Sequence, residues 1–194
     1  MKKIIIILLL LFPASILAQY QDSVYTFEIV SSLSPSVSFF GYPRYPGAVR
    51  DASVGYGGVL RAMWFPGRML SVGIMTGYYF LVEDKISSIA GQNSPVDATA
   101  RLSAVPLQLA ISMQQNNIEL GIGMGPHIMM STIDYGSPAS GKRFELGLTF
   151  FGSYAFRIYN DIYIGPEFRI LYLSYRRILS FMPSISFHFN LLRY

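Results

Sequence analysis

The sequence predicts an all-β protein, an eight-stranded antiparallel up-and-down transmembrane β-barrel, and three observations carry that prediction. The first is the stretch 144–175, which reads as two long alternating arms. Phe144, Leu146, Leu148, Phe150, Tyr154 and Phe156 share one face of the first arm, against Glu145, Gly147, Thr149, Ser153 and Arg157 on the other. After Tyr159-Asn160-Asp161 the second arm sets Ile162, Ile164, Phe168, Ile170 and Tyr172 against Tyr163, Gly165, Glu167 and Arg169. A period of two is the strand signature, and arms of about 12 residues exceed the ~5–6 of soluble strands. The second observation is composition: 52% hydrophobic and 13% charged, where about 25% charged is usual. Yet no apolar run of helix length follows residue 18. Apolar character spread over short alternating segments suits a closed barrel, which satisfies every backbone hydrogen bond in lipid. The third is that short and long connections alternate along the chain.

Taken in order, the first strand lies within 24–40 and the second within 53–65. Pro66-Gly67-Arg68 turns the second into a third, 69–82, whose apolar residues alternate with Ser71, Gly73 and Gly77. A fourth, 100–113, turns through Gln114-Gln115-Asn116-Asn117 into a fifth, 118–130. The two arms of 144–175 are the sixth and seventh, and 182–194 is the eighth. Three connections are short and rich in Pro, Gly, Asn and Asp, the residues of tight turns. The other four, 41–52, 83–99, 131–143 and 176–181, are mostly longer and hold much of the Gly, Ser, Pro and charge. Matching the faces of the two arms requires a three-residue loop at Tyr159-Asn160-Asp161, which sets Ser153 opposite Glu167 and Phe151 opposite Arg169.

Residues 1–18 are expected to be a signal peptide: Lys2 and Lys3 precede an apolar run over 4–12, and Ala14, Ser15 and Ala18 supply small residues for cleavage. A retained anchor is disfavoured, since the run is short of ~20 residues and contains Pro13. The barrel then spans 19–194. There is no cysteine, which removes disulfides, thiol nucleophiles, thiolate metal sites and a lipoprotein anchor. Loss of Lys2 and Lys3 takes the formal net charge from +4 to +2, and no basic cluster interleaved with aromatics points to nucleic acid.

On this strand pattern, the export signal and an aromatic last residue, Tyr194, the chain resembles the small eight-stranded bacterial outer-membrane barrels, OmpA/OmpX-like in the broad sense. The resemblance implies an outer-membrane location in a Gram-negative cell. Short turns then face the periplasm and loops face outside. It also implies a last aromatic in phase with the apolar face of its strand. Here Ile185, Phe187, Phe189 and Leu191 share one face, while Tyr194 falls with Ser184, Ser186, His188 and Asn190. Either a bulge near Leu191-Leu192 restores the phase or the last residues leave the sheet. Pro35, Pro106, Pro126, Pro166 and Pro183 also lie inside expected strands, where Gly125-Pro126 and Gly165-Pro166 would mark bulges or bends.

The alternation assigns Glu28, Arg61, Glu119, Glu145, Arg157, Glu167, Arg169 and His188 to the inside. All but Glu145 belong to the half near the short turns, so Glu28, Arg61, Glu119, Arg157, Glu167, Arg169 and His188 form the expected polar cluster of the lumen. An eight-stranded barrel is just wide enough for side chains to fill, and these residues are expected to plug it. Outside, Trp64, Phe156 and Tyr159 near the turns, and Tyr56, Tyr78, Phe80 and Tyr172 near the loops, make two aromatic girdles.

Catalytic signals are weak. His127, Ser131 and Glu145 make a triad conceivable if a bulge at Pro126 turns His127 toward lipid, but the His-x-Ser pattern of barrel deacylases is absent. Asp51, Glu83, Asp84, Asp97 and Asp134 lack calcium-site spacing, and no cofactor is expected. Alternate glycines such as Gly55, Gly57, Gly121, Gly123 and Gly147 suit a small lumen rather than a phosphate loop. The expected role is structural or surface-interacting. Outer-membrane lipid and lipopolysaccharide are the expected partners, together with an extracellular ligand or protein met by loops 41–52, 83–99 and 131–143. The alternatives are a narrow conduit for small apolar molecules and a lipid A-modifying enzyme.

Overall fold

The structure, a computed structural model, describes residues 25–41, 52–66, 69–86, 98–135, 137–175 and 177–193. Its strands are β1 (Tyr25–Phe40), β2 (Ala52–Pro66), β3 (Leu70–Ile86), β4 (Ala98–Gln115), β5 (Ile118–Tyr135), β6 (Ser137–Tyr154), β7 (Phe156–Tyr159), β8 (Ile162–Leu173) and β9 (Ile178–Arg193). They pair antiparallel in the order β6-β5-β4-β3-β2-β1-β9-β8-β7, and β6 also pairs with β8. β6 and β7 are two pieces of one wall strand, separated by Ala155 and both paired to β8. The sheet therefore closes as an eight-stranded up-and-down barrel. The expected signal peptide, the loop residues Tyr42, Arg44, Tyr45 and Arg50, and Tyr194 lie outside the described residues.

Alternation sorts the residues as a transmembrane wall requires. Leu33, Val54, Leu109 and Phe144 are each more than two-thirds exposed on the outer face, while Ser184, Ser186 and His188 of β9 are buried inside. At ~25 cal/mol per Å² of apolar surface, such an exterior is stable only against hydrocarbon. No described helix is long and apolar enough to cross a membrane. The expected girdle residues face outward. Trp64 stacks on Tyr25 at the short-turn end, with ring centroids 6.4 Å apart, and Tyr56 stacks on Phe80 nearer the loops at 5.1 Å.

The prolines sit where ladders lapse. Pro35 of β1 faces Pro183 of β9 in a gap between the pairs Leu33↔Ile185 and Val37↔Phe181, and the register resumes unchanged. Neither residue carries an N–H, so no cross-strand bond is available at that point. Pro106 lies next to gaps on both sides, between Thr76↔Leu107 and Tyr79↔Ala104 and again between Pro106↔His127 and Leu109↔Met124. Pro126 causes no register shift against β6, so the expected bulge there is absent. Gly165-Pro166 does mark a break: opposite it, the wall strand is interrupted at Ala155. The Ala155 N–H turns instead to Asn117 O at 2.8 Å, and Asn117 Nδ2 donates to Ala155 O at 2.8 Å.

Three bulges adjust phase. Leu191 is the extra residue between Phe27↔Leu192 and Glu28↔Asn190, so Leu191 and Leu192 both face outward, as the sequence demanded of a bulge at this point. Leu81 is extra between Phe80↔Ser103 and Val82↔Leu102, leaving Leu81 and Val82 both buried. Ile158 is extra between Arg157↔Tyr163 and Tyr159↔Ile162. The connection after β7 is therefore a two-residue turn, Asn160-Asp161, and not the expected three-residue loop. Because the bulge adds back one residue, the predicted pairs Ser153↔Glu167 and Phe151↔Arg169 are the observed ones.

The expected loop 131–143 is corrected to strand. β5 and β6 pair without interruption up to Tyr135↔Ser137. β3 and β4 likewise pair up to Ile86↔Ala98, which trims the loop 83–99, and β9 already begins at Ile178. β2 leaves β3 at Tyr56↔Phe80 and β8 leaves β6 at Gly147↔Leu173. A four-stranded sheet, β3 to β6, thus projects past the rim on the loop side. Its Ser, Gly and Lys content resembled a loop because a strand surrounded by water needs no apolar outer face, only backbone pairing.

Candidate functional site in the barrel lumen

Side chains fill the lumen from every wall, and glycines make room for them. Phe151 lies against Gly121, Met75 against Gly123, His127 against Gly147, Tyr79 against Gly57 and Met63 against Gly73, so that a Cβ at any of these glycines would collide with the facing side chain. Alternate glycines thus flatten one side of the lumen so that large residues from the neighbouring strands can cross it.

Across the half near the short turns runs a charged layer. Arg61 of β2 reaches Glu119 of β5 and Glu167 of β8 with one nitrogen, Nη2, at 3.1 and 2.8 Å. Its guanidinium also rests on the Phe151 ring, 4.0 Å from the centroid. Arg169 Nε lies 2.6 Å from Glu167 Oε1, and its Nη2 donates to Ser32 Oγ and Ser184 Oγ. Glu119 accepts from Ser112 Oγ at 2.7 Å and from Ser153 Oγ at 3.2 Å. Both guanidiniums and both carboxylates are almost entirely shielded from solvent. Burial of charge on this scale is tolerated only with close opposite charges and donors to the remaining lone pairs.

Nearer the termini, His188 Nδ1 lies 2.6 Å from Glu28 Oε1, and His188 Nε2 lies 3.0 Å from Ser186 Oγ. The Ser–His–Glu connectivity is that of an acyl-transfer triad, but Ser186 Oγ also lies 3.2 Å from Gly165 O, a competing acceptor for its single proton. Ser186 is fully buried inside the barrel.

All the expected lumen residues except Arg157 converge inside: Glu28, Arg61, Glu119, Glu167, Arg169 and His188. Arg157 is corrected to the rim. Its strand reaches the short-turn end there, and Nε donates to Asn160 O at 2.8 Å across the turn, exposed to solvent. Glu145 is buried higher up, outside the layer, and pairs in register with His127. His127 faces inward and is fully buried, 3.3 Å through Nδ1 from Gly125 O, so it does not meet lipid. Among the described residues no three His, Asp or Glu side chains are placed to hold a metal ion.

The expectation missed the hydroxyls around the layer, which satisfy part of it; Arg61 Nε and Nη1 and Arg169 Nη1 are buried without a hydrogen-bond partner among the described groups. Ser32, Ser112, Ser153 and Ser184 supply the layer with donors and acceptors, and Ser71 Oγ supports Ser112 Oγ at 2.6 Å. The signal was present in the inward runs Ser32-Ser34-Ser36-Ser38 and Ser180-Ser184-Ser186, alternate serines on the face that carries the charges.

Comparison with known proteins places this architecture. No protein-family model matches the chain, and no curated protein matches it in sequence. Solved structures do. A major outer membrane protein from Thermus thermophilus is similar with a TM-score of 0.61 at 11% identity, over 86% of this chain and 99% of that one. Ail, the attachment invasion locus protein of Yersinia pestis, solved with the heparin analogue sucrose octasulfate, gives 0.52 at 13% identity, over 84% and 99%. Neisserial surface protein A gives 0.51 at 11% identity, over 85% and 97%. These proteins share the closed β-barrel fold with this chain, and its own apolar exterior makes it a small β-barrel of the outer membrane.

Proposed function

We propose that the protein is a structural and surface-presenting barrel of the outer membrane, closed to bulk flow by its lumen layer and non-enzymatic. The observation that carries the closed reading is Arg61, which spans from β2 to carboxylates on β5 and β8. With Phe151, Met63 and Arg169 beside it, little of the cross-section is left for a polar solute. A conduit for small apolar molecules needs a continuous cavity from Glu145 to the short-turn end, and this layer stands across that route. Planar-bilayer recording of the purified protein is the test. Baseline current is expected, and a stable large conductance would overturn the reading.

The surface role rests on the β3–β6 sheet that projects past the rim, together with the connections 41–52 and 83–99. It carries Lys142, Arg143 and Arg101, the last paired with Glu83 at 3.3 Å, while Arg143 lies 3.4 Å from the Tyr175 ring centroid. Lipid and lipopolysaccharide are the partners of the wall, and a soluble ligand or protein that of the extension. Because a barrel of the same fold was solved with a sulfated sugar analogue, a sulfated saccharide is the first ligand to titrate. Binding that survives replacement of 132–142 by a two-residue turn would remove the extension from the role.

A further inference from the structure

We infer that the outer wall holds a docking groove for one acyl chain of a phospholipid in the periplasmic leaflet. The groove, of about 430 Å³, lies over β1 and β2 in the middle of the wall. Gly58 is its floor, and Leu33, Leu60 and Phe187 are its walls. Register explains the shape: Gly58 faces Leu33 across the β1–β2 ladder, Leu60 faces Ser31, and Ser31 faces Phe187 on the far side. Two small residues thus lie within a ring of large ones, all on the lipid-facing side.

On the membrane-spanning reading proposed above, on which this inference rests, the groove opens on the outward face between the two aromatic girdles, in the hydrocarbon of the bilayer. Its direction follows from what closes each end. Above the groove, toward the loops, the stacked Tyr56 and Phe80 rings stand across it. Below, the β2 position after Leu60 is Ala62, small and paired with Ile29, and the next is Trp64, stacked on Tyr25 where head groups begin. Both ends carry a stacked aromatic pair, but Tyr56 is the outward β2 residue directly next to Gly58, whereas Ala62 separates Leu60 from Trp64. A chain passing Trp64 therefore has a shallow path over Ala62 and Ser31 into the groove. Leu33, Leu60 and Phe187 supply flexible apolar contact along its length, which is how dispersion accumulates on a methylene chain.

The test uses the full protein in vesicles of phosphatidylethanolamine and phosphatidylglycerol, with a trace of phosphatidylethanolamine bearing a photoreactive diazirine deep in one acyl chain. After illumination, cross-linked positions are mapped by mass spectrometry. Labelling of Leu33, Leu60 and Phe187 is expected severalfold above that of Leu109 and Met124, which face lipid on β4 and β5 and are more exposed than Leu60 or Phe187. Gly58→Leu, whose added Cβ meets only the mobile end of Leu33 at 3.1 Å, fills the floor and should remove the excess while heat-modifiable migration persists. If Gly58→Leu does not fold, Ser31→Leu fills the same floor from β1. A diazirine placed near the head group should label Ala62 and Ile29. Even labelling round the wall, an excess that survives a folded filling variant, or shallow-probe labelling at Tyr56 and Val54 instead would each overturn the proposal.

Discussion

Arg61 and Glu167 meet at 2.8 Å in the middle of the barrel although 106 residues separate them in the chain. β2 and β8 are not neighbours in the wall, since β1 and β9 stand between them. The bond is therefore a brace across the lumen rather than a contact along a ladder. Removing it should be costly, because Arg61→Met leaves Glu119 and Glu167 short of their shared counter-charge in a dry interior. Breaking a buried pair from one side costs roughly 3–5 kcal/mol. Urea unfolding in phospholipid vesicles should show a loss of that order, with Glu119→Gln in the same chain recovering part of it. A loss under ~1 kcal/mol would mean that water reaches the layer.

Arg157 provides the contrast. It was expected among the lumen charges, but it caps a turn at the rim in contact with solvent. Arg157→Ala should stay within about 0.5 kcal/mol of the parent, as exposed substitutions do. Arg169→Ala, which removes one of the two arginines beside buried Glu167 and the partner of two serines, should not. The two variants compared in one unfolding series decide which arginine belongs to the brace.

Gly121 and Phe151 form a complementary pair, the ring occupying the space a side chain at Gly121 would take. Gly121→Val should displace the ring that supports Arg61 and cost about 1–3 kcal/mol through overpacking. Adding Phe151→Ala to that variant should recover part of the stability, since the ring clash is then relieved and only Ser112 Cβ, 2.7 Å from the new Cβ, still crowds it. A double variant less stable than Gly121→Val would refute the packing argument.

The Pro35–Pro183 gap is a local weakness in the wall. Replacing both by Val restores two N–H groups to facing positions, and amide hydrogen exchange over 33–37 and 181–185 should slow in reconstituted protein. Each single replacement should do less, because the residue opposite still lacks a donor. Unchanged exchange in the double variant would show that the strands are held apart for another reason.

Periodicity along the chain was enough to read the barrel. Eight crossing segments, the girdles, the register of Ser153 with Glu167 and, Arg157 apart, the inward set follow from alternation and turn residues, because a strand's faces are a local property with a period of two. Alternation does not say where a strand stops once it leaves lipid. Outside the bilayer, polar and apolar residues are equally acceptable on the outer face, and so 131–143 reads as loop while folding as strand. Nor does it say which inward charges meet. Arg61 could face any residue of the inward set; its partners follow from the stagger accumulated round the ring and from the bulges at Leu81, Ile158 and Leu191. The inward face of each strand, alternate serines included, was thus written in the sequence. The brace of Arg61 to Glu119 and Glu167 was decided only by closure, which brings distant strands to one height, and Arg157 fell outside it because its strand ends at the rim.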